Sequence, residues 1–154
     1  MSEYKATIDW RRQSADFDHK TYNRNHTLAF EGGIRVPATA APANIPPTAA
    51  GAPGVDPEQT FVASLSSCHM LWFLHLASRA KYVVDRYVDE ASGVLEKNAE
   101  GKMAMTRVTL RPKVSYAGRK PNPEEHAKLH EDAHHKCFIA NSVKTEVLIE
   151  PRVA

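Results

Sequence analysis

Hydrophobic and polar positions change period several times along the chain, and each change marks an element. "YKATIDW", Tyr4–Trp10, alternates and predicts a strand. "NHTLAFEGGIRVPA", Asn25–Ala38, places two β-prone runs around Gly32-Gly33 and predicts a hairpin. The polar stretch between them predicts a long turn or extended arm. From Pro37 to Pro57 the chain holds six of its ten prolines, so its backbone can sustain neither a helix nor a central strand. This segment is either a surface connection or a proline-stiffened loop bordering a site.

"DPEQTFVASLSSCHMLWFLHLASRA", Asp56–Ala80, predicts the central helix. Asp56 can cap it, Pro57 suits the first helical position, and Gln59 can complete a capping box. Phe61, Leu65, Cys68 and Trp72 share one face, and Met70, Leu71, Phe73, Leu74 and Leu76 fill the others. A helix apolar on nearly all sides is expected to be buried on nearly all sides. One small domain cannot surround it, so a subunit interface is the natural way to complete the burial. After Lys81 two strand-like stretches follow, with a turn near Asn98–Gly101. "RKPNPEEHAKLHEDAHHKC" predicts a second helix with Asn122 as cap, Pro123 first and Glu125 at the capping-box position. "CFIANSV" predicts a short helix or turn, and "KTEVLIEPRV" a closing strand. The segments are strands and hairpin over 1–36, a Pro-rich loop over 37–55, the central helix over 56–80, and strands, second helix and final strand over 81–154. This order predicts one α+β domain with mostly antiparallel pairing.

Composition changes little in this picture. The chain is 42% apolar and 25% charged with a net charge of +2, which is ordinary globular usage and makes no electrostatic case for nucleic acid. No apolar run reaches the roughly 18–20 residues of a membrane span, and the polar N-terminus lacks a signal-peptide core. The expectation is a cytoplasmic protein with no membrane partner. In that compartment two cysteines are a transient, catalytic or redox-sensing pair rather than a permanent bridge.

Cys68 lies in the most apolar helix, where it is either a core residue or a nucleophile with a cation beside it, because a buried cysteine otherwise stays a thiol. Cys137 begins the short "CFIANSV" segment, and a cysteine at a helix N-terminus has its pKa lowered. His126, His130 and His134 recur every four residues and form one ladder. It reads mainly as a solvated face, with a metal site or part of a redox site as alternatives; the Glu that a zinc protease needs directly after the first His is missing. Acidic residues at the helix starts, Glu58 among them, complement the dipole.

Two of these stretches resemble a known family. "DPEQTFVASLSSC" is similar to the Asn-Pro-Glu-Gln…Cys segment, and "AHHKCFIANSVKTEV" to the second-cysteine segment, of the OsmC/Ohr proteins, the osmotically inducible and organic hydroperoxide resistance proteins. The resemblance covers Arg24 to the C-terminus. It implies an OsmC-like fold in which antiparallel sheets wrap around central helices in an intertwined homodimer. It also implies a thiol peroxidase that reduces organic hydroperoxides without metal, haem, flavin or other cofactor. Cys68 takes the place of the peroxidatic nucleophile and Cys137 that of the resolving cysteine. Glu58 takes the place of a Glu that ties a thiolate-stabilising Arg, for which Arg24 is the first choice and Arg35 the second. A thiol reductant is implied, with dihydrolipoyl groups as the example from the Ohr branch. Phe61, Met70, Leu71 and Trp72 would form an apolar wall suited to alkyl or lipid peroxides. Asp56 stands where Asn is common, and Phe138 where Pro is usual. Glu58 lies ten positions before Cys68, roughly 15 Å along a straight helix, so it needs either a folded-back first turn or an Arg that spans the gap. The alternatives to an enzyme are a redox-sensing or small-ligand-binding protein of the same fold, and a metal-binding protein using the His ladder and Cys137.

Overall fold

Residues 1–153 are described by a computed structural model, in which Met1–Thr60 forms one compact unit and the chain from Phe61 onward a second. The first unit is a three-stranded antiparallel sheet of β1 (Ala6–Asp9), β2 (His26–Phe30) and β3 (Arg35–Ala38). The expected hairpin is β2–β3, with Leu28 opposite Val36. Its turn is one 3₁₀ turn at Glu31–Gly33, where Gly32 and Gly33 take φ of 78° and 79°, a region costly for a residue with a Cβ. The Pro-rich segment is ordered by two more 3₁₀ turns, Pro42–Asn44 and Pro47–Ala49, and by a parallel bridge from Ala38 to Val55. Gly54 permits that bridge, because a Cβ there would stand 2.9 Å from the Ala38 backbone.

α1 (Pro57–Arg79) starts with Asp56 as its cap and Pro57 first, the Asp56 carboxylate accepting the Gln59 amide at 2.7 Å; the Gln59 side chain does not complete the expected capping box. It ends in a Schellman arrangement: Tyr82 N–H donates to the Ala77 carbonyl and Lys81 N–H to that of Ser78, each at 3.0 Å. Lys81 is the left-handed residue, with φ of 64°. The expectation of burial on all sides is corrected for the protomer. Only Leu65, His69, Phe73 and Ala77 are buried, a single i+4 stripe, while Leu71 is 63% exposed. The expectation that nothing reaches span length is corrected too. α1 is 23 residues long with a mean hydropathy of 1.3 over its most apolar stretch, because isolated Ser and His residues interrupt the apolar run without lowering its average far. The core helix of a globular protein passes the same test.

The two strand-like stretches after Lys81 each contain two strands rather than one. β4 (Val83–Asp89) and β5 (Ser92–Lys97) come from the first, β6 (Met103–Leu110) and β7 (Pro112–Ala117) from the second. They separate into two sheets, β4-β7-β9 and β5-β6-β8, completed by β8 (Glu146–Ile149) and β9 (Arg152–Val153) in parallel register. Both stretches change sheet at one corner. There Asp89 accepts the Arg111 amide at 2.6 Å and the Ser66 hydroxyl at 2.5 Å, and Arg111 reaches Ser92 and Glu150. Pro112, with no N–H to give, opens β7 at that corner. β1–β2, β2–β3, β4–β7 and β5–β6 are antiparallel, so the α+β reading with mostly antiparallel pairing holds.

α2 (Pro123–Lys136) carries the predicted capping box, with Asn122 accepting the Glu125 amide and Glu125 accepting that of Asn122. Phe73 and Ala77 of α1, Leu129 and Ala133 of α2, and Tyr82, Val114 and Tyr116 form one core cluster; Leu65, Val108 and Leu110 anchor another. Full burial of a side chain such as Phe73 contributes about 2–3 kcal/mol.

Candidate functional site

The second unit carries an apolar cleft of about 530 Å³ beside Cys68. Ser64, Ser67, Cys68, Leu71, Trp72 and His75 reach it from α1, and Phe138 and Ile139 from the segment after α2. Successive turns of one helix face put Ser64, Cys68, Leu71, Trp72 and His75 there. Trp72 meets both His75 and Phe138 edge-to-face, with ring centres 5.6 and 5.5 Å apart. Of the four residues expected to form an apolar wall, Leu71 and Trp72 do so. Phe61 instead packs with the Leu65 core cluster, and Met70 does not line the cleft. Ile139 and Phe138 complete the wall. In the sequence Phe138 stands out only as a departure from the usual Pro, and its position next to Cys137 is the signal for its place on the wall.

The two thiols are neighbours, and both are free. Their settings are the reverse of the expectation. Cys68, on the apolar helix, is half-buried on the cleft wall; Cys137, at the end of the polar helix, is 1% exposed. Cys137 does not sit at a helix N-terminus. It is the C-terminal cap of α2, its N–H donating to the His134 carbonyl, and among the described residues the only helix beyond it is the single 3₁₀ turn Ala140–Ser142. Burial pushes its thiol up to about 11, outweighing the downward pull of the Ala140 amide on its sulfur at 3.4 Å; the neighbouring Cys68 side chain pushes it further up. Burial therefore favours the protonated thiol at Cys137.

The remaining site candidates lie in the first unit, where Arg24 and Glu58 are not brought together. The Arg24 guanidinium lies over the Tyr22 ring, 3.3 Å from its centre, and donates to the carbonyls of Tyr22 and His19. Arg35 stands 3.8 Å from Asp9. Glu58 belongs to the first turn of α1 rather than to a folded-back loop. Its Oε1 accepts from Asn44 at 3.1 Å, and its Oε2 is buried with no partner.

The histidine ladder is corrected most sharply. His126 and His130 are 4% and 2% exposed, so the ladder faces the core and not the solvent. The helical period put all its members on one face, and that face is the one α2 turns inward with Leu129 and Ala133. His130 Nδ1 and His69 Nε2 of α1 share a hydrogen bond of 2.9 Å, and Tyr116 Oη shares another of 2.9 Å with His126 Nδ1. Burial holds these rings neutral: it pushes His69 down to about 4 and His130 to about 3, and lowers His126 and His134. Among the described residues no cluster of three or more His, Cys, Asp or Glu side chains assembles to hold a metal.

The family model for OsmC-like protein matches residues 49–152. An OsmC-like protein of unknown function from Vibrio cholerae is 46% identical, with a TM-score of 0.94, over 98% of this chain and 99% of that one. The organic hydroperoxide resistance protein OhrB of Bacillus subtilis shares the fold at 19% identity, TM-score 0.64, over 99% of this chain and 98% of that one. An organic hydroperoxide resistance protein from Elizabethkingia anophelis does so at 17% identity, TM-score 0.66, over 100% and 96%. No curated protein matches. Two cysteine segments, an α+β fold and a family match over most of its length agree: this chain belongs to the OsmC-like protein family.

Proposed function

We propose that this protein is a cysteine-based peroxidase that reduces organic hydroperoxides to alcohols. The observation that carries the reading is the pair of free, neighbouring thiols beside an apolar cleft, one on the cleft wall and one buried. Cys68 attacks the terminal peroxide oxygen as a thiolate. The O–O bond breaks, the alkoxide takes a proton and leaves as the alcohol, and Cys68 becomes a sulfenic acid. Cys137 then attacks that sulfur, giving up its thiol proton as hydroxide leaves to form water, and a disulfide results. A dithiol reductant returns both sulfurs to thiols and is itself oxidised to a disulfide; dihydrolipoyl groups are the proposed donor. Leu71, Trp72, Phe138 and Ile139 favour alkyl or lipid hydroperoxides over hydrogen peroxide through burial of apolar surface. Arg24, with Arg35 as second choice, supplies the cation for the thiolate, and the free Oε2 of Glu58 is the carboxylate oxygen that would orient it. The working form is a cytoplasmic homodimer, which would cover the exposed faces of α1.

Turnover of cumene hydroperoxide with dihydrolipoamide tests the reading. Turnover is expected for the native protein and none above background for Cys68→Ser. A native protein that loses its thiols to peroxide once, and never turns over, would instead be a redox sensor of the same fold.

A further inference from the structure

We propose that the buried hydrogen bond between His69 and His130 is a positioning device for the thiol pair: it fixes the register of α1 against α2 and thereby holds Cys68 beside Cys137. The inference rests on the proposed reaction only in taking the Cys68–Cys137 pair as the reactive unit. His69 directly follows Cys68 on α1, and His130 lies about two turns before Cys137 on α2. Their rings, 1% and 2% exposed, lie parallel within 4° and share a bond of 2.9 Å. Phe73 stacks on His130 at 4.2 Å, and the Tyr116–His126 bond ties the far end of the ladder to β7. Phe73 and Ala77 of α1 also share an apolar cluster with Leu129 and Ala133 of α2, and Lys136 lies over the Trp72 ring, 5.7 Å from its centre.

Apolar packing is non-directional and tolerates small slides. A slide of one helical turn is about 5.4 Å. Bridged cysteines need Cα atoms within about 4.4–6.8 Å of each other, so such a slide would part the sulfurs. A hydrogen bond between two ring nitrogens allows no such freedom. Stability does not explain the pair, because a buried polar pair replaced on both sides by apolar groups commonly loses nothing. Register does explain it, and a buried polar contact that fixes helix register is a known use of such groups. One ring donates and the other accepts, so the accepting ring must be neutral, and burial keeps both rings so.

The test measures the effective concentration of the two thiols in the full chain, equilibrated with glutathione and glutathione disulfide. Oxidation of Cys68 and Cys137 to their disulfide reduces one glutathione disulfide to two glutathiones, and the thiol protons pass to glutathione. Alkylation and mass spectrometry read the ratio. The double variant His69→Leu/His130→Leu is expected to keep its melting temperature while its effective concentration falls about tenfold. His130→Asn, which sets an amide where Nδ1 stood, is expected to stay within about twofold of native; His130→Gln, whose amide sits further out, is expected to fall like the double variant. Equal values for Asn and Gln, or a folded double-Leu protein with the native value, overturn the proposal. The Asn–Gln comparison decides alone if the double variant fails to fold. No peroxide enters the measurement. Absent peroxide turnover with an intact disulfide equilibrium therefore sinks the proposed function only, whereas a native protein that forms no Cys68–Cys137 disulfide sinks this inference.

Discussion

α1 and α2 each contribute one cysteine and part of one histidine cluster, yet they handle them in opposite ways. α1 is the most apolar segment of the chain and leaves its thiol on an open cleft while burying a histidine. α2 is strongly polar, closes its thiol into the core and buries two histidines with it. Composition therefore says little about what a helix buries. The stripe that faces the neighbouring element decides it, Leu65-His69-Phe73-Ala77 on one helix and His126-Leu129-His130-Ala133 on the other. The chemical result is an asymmetric thiol pair, with Cys68 accessible to a reagent and Cys137 accessible to little besides Cys68.

The two cysteines give the largest test of that asymmetry. Cys137→Ser is expected to form a sulfenic acid at Cys68 with one equivalent of cumene hydroperoxide, trapped by dimedone, while disulfide formation falls to zero. Cys68→Ser is expected to trap nothing. A dimedone adduct on Cys137 in the Cys68→Ser protein would show that burial does not separate the two roles.

Acid tests the histidines. In the folded state burial holds His69 down to about 4 and His130 to about 3, whereas an unfolded chain protonates its histidines below about 6.5. The unfolded state thus binds more protons between those limits. The contribution is fully present above about pH 6.5 and is lost as pH falls toward 4 and then 3. For His69 alone the loss is on the order of 3 kcal/mol. Urea unfolding at pH 7.5, 6 and 5 is expected to show a falling midpoint, and the His69→Leu/His130→Leu protein a flatter profile. Equal slopes for the two proteins would place the titration elsewhere.

Much of this architecture was readable from the residues alone. Asp-Pro and Asn-Pro mark both helix starts because capping is a local interaction, and the Gly32-Gly33 turn is legible for the same reason. Two cysteine-bearing segments in the right order led to the family. What escaped depends on distant partners. Alternation runs unbroken from Val108 through Arg111 to Tyr116, so the corner at which those strands change sheet is invisible until Asp89 meets Arg111. A ladder of histidines reads as solvated unless one knows that His69 waits on another helix. The burial of Cys137 depends on how the segment after α2 folds back over its sulfur, with Ala140 donating to it.

Trp72 and Phe138 sharpen the contrast at the cleft, since one comes from α1 and the other from the segment after α2. Trp72 is half-buried and touches both His75 and Phe138. Trp72→Ala is expected to raise KM for cumene hydroperoxide about tenfold, through some 1–2 kcal/mol of lost apolar contact, with little change for hydrogen peroxide. Phe138 is 66% exposed, so Phe138→Ala should cost about threefold or less in the same assay. An equal effect on both peroxides would mean that the wall serves the thiols and not the substrate.

The smallest effect is expected where the two helices end. α2 finishes on Cys137 in an extended conformation, φ −66° and ψ 108°, which turns the chain at once toward Phe138 and the cleft. α1 finishes on Lys81 at φ 64°, with two capping hydrogen bonds and no cleft residue nearby in sequence. A side chain in the left-handed region costs about 1 kcal/mol that glycine does not incur, offset in part by the greater freedom glycine gives the unfolded chain. Lys81→Gly is therefore expected to stabilise the protein by about 0.5 kcal/mol, a rise of one to a few degrees in melting temperature by calorimetry. Peroxide turnover should be unchanged, because the gain enters at the end of α1 remote in sequence from Cys68. If the same substitution alters thiol chemistry, the end of α1 is coupled to the register of Cys68 against Cys137, and the two helix ends are less independent than their caps imply.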